Sequence, residues 1–129
     1  MANGERWTIE TVPREFWTRI EAAGGDKQKY KEALAGLSEE QLKETMAQFD
    51  GLAQSLIRSG FDRFPAELRH ELTERLEEFA NWVITQGRAY YEDVLANPEK
   101  FPVRSQVRRP IFAGAIIEEY TRRFGPWRD

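Results

Sequence analysis

The stretch SEEQLKETMAQFDGLAQSLIRSG, residues 38–60, decides the fold. Ser38-Glu39-Glu40-Gln41 is a capping box: the Ser38 hydroxyl can take the N–H of Gln41 while the Gln41 side chain reaches back to the N–H of Ser38, so two donors orphaned at a helix start are satisfied. Leu42, Met46, Phe49, Ala53, Leu56 and Ile57 then recur at three- and four-residue steps, the period of a helix with one apolar face. Gly60 is the expected stop. A helix of this kind must bury its stripe against other elements, so its flanks set the architecture.

The helical period continues in both directions. Upstream, Pro13 suits the first position of a helix, where its missing N–H has no intrahelical partner. Phe16, Trp17 and Ile20 make that helix's stripe, and Gly24-Gly25 ends it. Asp26 can cap a second helix with Tyr30, Ala33, Leu34 and Leu37 on its inner face. Downstream, residues 61–64 connect and Pro65 restarts a helix. Leu68, Leu72, Leu76, Phe79 and Val83 face one way along it, and Glu71 and Arg75 stand as a favourable i, i+4 pair. Gly87 breaks this run, since glycine disfavours a helix interior by about 1 kcal/mol. A further helix then spans Arg88 to Ala96 and ends at Asn97-Pro98. Pro102 and Pro110 make residues 99–110 a loop, anchored by Phe101 and Val103. A last helix runs from about Ile111 to Phe124, with Phe112, Ile116, Ile117, Tyr120 and Phe124 as its stripe. Glu118–Arg122 and Glu119–Arg123 are i, i+4 pairs on it, and Gly125-Pro126 terminates it. No convincing strand is present. The expectation is an all-α single compact domain of five or six helices, with residues 1–12 as a flexible start.

Composition agrees with one self-sufficient core. The chain has 129 residues and a mass of 15.1 kDa, within the range of a single domain. A domain of this size buries about two-thirds of the surface its unfolded chain exposes, so no disulfide or metal staple is required. Charged residues make up 32%, but 12% aromatics argue against disorder. The absence of cysteine excludes disulfide scaffolds, thiolate zinc sites, iron–sulfur clusters and cysteine nucleophiles. No apolar run approaches the ~20 residues that span a bilayer, and no apolar segment follows a basic one at the start, as a secretory signal requires. A soluble cytoplasmic protein with no membrane partner is expected.

Charge is uneven. Residues 1–100 hold 13 Lys/Arg against 19 Asp/Glu, whereas residues 101–129 hold six arginines against Glu118, Glu119 and Asp129. The acidic body disfavours nucleic-acid binding by the whole domain, because counterion release needs several basic contacts on one face. The basic end leaves a local anionic partner open.

No catalytic motif stands out. His70 is the only histidine. Glu67 and Glu74 would share its face on a helix, but a second histidine is lacking and no metal site is expected. Glu92, beside Tyr90 and Tyr91, is the carboxylate nearest an apolar setting, and a helix-surface position is the plainer reading. No Gly-rich phosphate loop and no cofactor motif occurs, and none of Ser38, Ser55, Ser59 or Ser105 sits in a nucleophile elbow. The densest segment is Phe79 to Glu92. There, Trp82, Gln86, Arg88 and Tyr91 could wall a small groove, or form a helix–helix corner with the aromatics as core. Arg104, Arg108 and Arg109 in the loop, with Arg122, Arg123 and Arg128 near the end, could converge into a patch for an acidic partner, or could serve neighbouring carboxylates.

Phe16-Trp17-x-x-Ile20, Leu34-x-x-Leu37-Ser38-x-Glu40 and, above all, Phe79-x-x-Trp82-Val83-Ile84-x-Gln86-Gly87-Arg88-x-x-Tyr91-Glu92-x-x-Leu95-x-Asn97-Pro98 carry a resemblance. Over roughly residues 15–101 the chain resembles a bacterial family catalogued as domain of unknown function 4240. The family's Leu-Trp-rich helix and its Gly-rich turn with paired aspartates have no match in the middle of this chain, where the equivalent positions fall near Thr73 and Glu74. The resemblance implies a small bacterial cytoplasmic helical domain. The function expected is a non-enzymatic interaction or regulatory module that binds a protein partner, with toxin-neutralising immunity proteins as the specific version. A small-ligand-binding domain or enzyme using the corner around Trp82, Gln86, Arg88 and Tyr91, and a nucleic-acid role for the arginine-rich end, are the alternatives.

Overall fold

The computed structural model describes residues 7–127. Among them are six α-helices and no strand, in one all-α domain. The helices are α1 (Arg14–Ala23), α2 (Lys27–Leu34), α3 (Glu39–Gly60), α4 (Thr73–Thr85), α5 (Arg88–Ala96) and α6 (Phe112–Phe124). Short 3-10 turns at Phe61–Arg63, Ala66–Leu68, Pro98–Lys100 and Arg104–Gln106 lie in the connections.

α3 is the axis of the packing. Leu42, Phe49, Leu52, Ala53 and Leu56 are buried on it, and it contacts α4, α5 and α6. α1 packs on α2, and α2 packs on α6. Phe16 joins Phe49 at 5.2 Å between ring centroids, and Tyr30 stacks on Phe112 at 4.4 Å, so aromatics knit the helices together. No helix among the described residues is long and apolar enough to cross a membrane.

The local signals are realised in atomic detail. Ser38 N–H donates to Gln41 Oε1 at 2.8 Å, and Gln41 N–H donates to Ser38 Oγ at 3.1 Å. Lys29 N–H donates to Asp26 Oδ1 at 3.0 Å, capping α2. Pro13 stands one place earlier than expected, as the extended residue before α1. Gly87 separates α4 from α5 with φ 107° and ψ 172°, a conformation that a side chain would strain. Gly60 serves a different purpose: a Cβ there would lie 2.7 Å from Pro98 Cβ, so the end of α3 needs glycine for close approach.

Three expectations are corrected. The helix expected from Pro65 is a single 3-10 turn followed by a bend, and α4 begins only at Thr73. Leu68 alone enters the core there, and Leu72 is left 68% exposed, because tertiary packing overrides the local period. Glu71 therefore precedes α4 and pairs with Arg104 at 3.1 Å, while Arg75 turns to Glu78 at 3.5 Å. On α2, Ala33 is exposed and only Tyr30 and Leu34 are buried, since eight residues present a narrow face. On α6 the buried face is rotated: Ala115, Ile116 and Glu119 point inward, whereas Ile117 and Phe124 are exposed. With α2 lying against α6, Glu118 reaches Lys27 at 2.6 Å and Lys31 at 3.2 Å rather than Arg122.

Candidate functional site

The Trp82–Tyr91 corner is built where α4 hands over to α5. Tyr91 points into the core. Its hydroxyl donates to the Leu52 carbonyl at 2.7 Å and its ring lies 5.7 Å from Trp17, and burial pushes the phenol well above its ordinary pKa. Trp82 is half-buried and meets Tyr90 edge-on at 5.7 Å. Gln86 folds back so that its Nε2 donates to the Trp82 carbonyl at 3.1 Å. Arg88 turns outward, with Nε donating to Glu92 Oε2 at 3.2 Å. The four residues thus share a stretch of chain without facing a common space. Glu92 is a surface carboxylate held by Arg88. The Arg88 backbone N–H instead donates to Glu21 Oε2 at 3.1 Å, so a carboxylate from α1 caps α5.

The arginines are drawn to separate neighbours. Arg104 holds Glu71, Arg108 Nη1 donates to the Ser105 carbonyl at 2.9 Å, and Arg122 holds the buried carboxylate of Glu119 at 2.6 Å. The Arg122 guanidinium, with Arg123 beside it, keeps the Glu119 carboxyl below its usual range. Arg122 and Arg123 lie in the last turn of α6, whereas Arg104 and Arg108 bond to Glu71 and within the 99–110 loop. Arg128 lies outside the described residues. His70 sits in the bend between Leu68 and Thr73, so Glu67, His70 and Glu74 do not share a helix face. Among the described residues no group of three His, Asp or Glu is placed to hold a metal ion.

The structure assembles a groove that the linear pattern does not show. It measures about 350 Å³ and lies where α3, α4 and α6 meet the end of the 99–110 loop. Met46 of α3, Ile111 ahead of α6, and Ala113, Gly114 and Ile117 of α6 give it an apolar lining. Glu74, Glu77 and Glu78 of α4 line it with negative charge, and Arg109 is its one cation. Glu77 is oriented by Gln54, whose Nε2 donates to Oε2 at 2.7 Å. Glu74 and Arg109 have no ion-pair partner among the described residues. The amide oxygen of Asn81, also in the lining, is shielded from solvent and finds no donor. Two other grooves of similar size lie elsewhere: one of about 320 Å³ beside Trp7, Gln54 and Arg58, and one of about 310 Å³ flanked by the Glu71–Arg104 pair. Nothing in the sequence marked the α3–α4–α6 groove: Ile117 reads there as part of the inward stripe of α6, and its exposure appears only once the helices are packed.

A family model described as "Protein of unknown function (DUF4240)" matches residues 13–121. The match runs past the 15–101 span of the sequence resemblance and takes in most of α6. No curated protein and no solved structure matches the chain.

Proposed function

The chain belongs to the DUF4240 family, and from that premise we propose that it is a non-enzymatic protein-interaction module of bacterial, cytoplasmic type, acting by occluding a protein partner. Neutralisation of a toxin is the version to test first. The observation that carries this reading is the α3–α4–α6 groove: an open surface with an apolar lining beside unpaired charge, the arrangement that protein interfaces use for anchoring and orientation. The alternative corner offers less, because Tyr91 belongs to the core and Arg88 to Glu92. Arg109 is the loop arginine that borders the groove, while Arg104 and Arg108 already hold neighbours.

The test is complex formation with the product of the adjacent gene, followed by light scattering, with growth inhibition by that product as the functional readout. A one-to-one complex that weakens with salt and relieves inhibition supports the proposal. Relief of inhibition without any complex, or no complex at all, overturns its toxin-neutralising form.

A further inference from the structure

Resting on that interaction reading, we infer that the α3–α4–α6 groove takes a cationic amphipathic helix of the partner, its aliphatic side chains seated over Met46, Gly114 and Ile117 and its Lys or Arg side chains on Glu74, Glu77 and Glu78. Two observations converge on this occupant. The first is charge: Glu74, Glu77 and Glu78 line the groove, and although Glu78 also meets Arg75 and Arg109 stands in the lining, the carboxylates outnumber the cations, so a segment rich in Lys or Arg is attracted and an acidic one repelled.

The second is Gly114. It lies within α6, where glycine is less favourable than alanine. A Cβ built there would meet nothing within 4 Å. Internal packing therefore does not call for glycine at this position, in contrast to Gly60, where Pro98 does. What the missing side chain provides is depth, so that another backbone can come close to α6. Ile117, one turn further along the helix, is 37% exposed and supplies the apolar contact that an anchor side chain would cover. Helix-in-groove recognition lays the apolar face of an amphipathic helix into a hydrophobic groove, and here the carboxylates along the edge favour Lys or Arg on its flanks.

The probe is a synthetic fluorescent helix with leucines at i, i+4 and i+7 flanked by lysines, titrated by anisotropy into the full chain. Its analogue carries glutamate in place of every lysine. Binding of the lysine peptide only, weakened about tenfold or more by Gly114→Phe and by the Glu74→Gln/Glu78→Gln pair, and reduced by salt, is the expected result. Gly114→Phe projects into open space, and its helical circular dichroism and melting temperature establish that it folds. Equal binding of both peptides, or binding indifferent to Gly114→Phe, overturns the inference. A photo-crosslinker at position 114 in cells separates the two levels of the argument. Trapping of a partner through an acidic segment removes the cationic-helix inference and leaves the interaction reading standing. Failure of both peptide binding and trapping removes both.

Discussion

The hydroxyl of Thr85, at the end of α4, accepts the backbone N–H of Phe112, the first residue of α6, at 3.0 Å inside the core. The same hydroxyl donates to the Asn81 carbonyl at 2.9 Å. One helix thus satisfies the start of another, which has no cap of its own from Ile111. Thr85→Val keeps the shape and removes the acceptor, leaving a buried N–H unpaired, so a loss of about 1–3 kcal/mol is expected in urea unfolding. Thr85→Ser should retain most of that stability. An equal loss in both variants would assign the role to the methyl group instead.

Gly60 and Gly87 should both resist replacement by alanine, for separate reasons. At Gly60 the new Cβ would lie 2.7 Å and 2.9 Å from Pro98 carbons, an overpacking expected to cost about 1–3 kcal/mol. At Gly87 the nearest atoms, on Glu21, are 3.5 Å away, an ordinary contact, so the loss there comes from backbone strain at φ 107° and is of order 1–3 kcal/mol. Thermal unfolding of each variant measures both, and a Gly87→Ala protein as stable as the parent would contradict the strain argument.

Acid should weaken the α2–α6 contact. Hydrogen bonds from Lys27 and Lys31 lower the Glu118 pKa, and one from Arg122 lowers that of Glu119, both below the ordinary 4.5. A carboxylate whose pKa is depressed by folding stabilises the fold above its unfolded pKa, and that contribution is lost as pH falls through the folded value. Stability should therefore be level near neutrality and fall below about pH 4.5. Glu119→Gln should flatten this fall, read from urea midpoints across the range. Glu118 is half-exposed, so salt should diminish its share more than that of the buried Glu119.

Gly114→Ala should raise stability by about 0.5–1 kcal/mol, because alanine is the better helix former and its Cβ enters open space. A lower melting temperature would mean that α6 needs glycine for its own packing, and would remove one support of the groove's assignment.

The features legible in the sequence are those written within a few residues of each other. The Ser38–Gln41 box, the Asp26 cap and the Gly87 break between α4 and α5 needed only local chemistry. What escaped depends on the neighbouring element. Leu72 continued the apolar period perfectly yet stands in solvent, since α4 begins only one residue after it. Glu118 had a helical partner in Arg122 at the right spacing, but α2 places two lysines closer. The groove draws on three helices and a loop, and no window of the sequence contains it; Ile117, which reads as part of the inward stripe of α6, gave no sign of it.

The reach of Glu21 to the N–H of Arg88, across 67 positions of the chain, bears on how the domain can be shortened. A fragment begun after α1 would keep every residue of α5 and still lack the acceptor for its first amide, together with the Trp17 ring against Tyr91. Such fragments should fray at α5 and regain order when α1 is added back as a separate peptide, so the smallest autonomous unit includes both ends of that span.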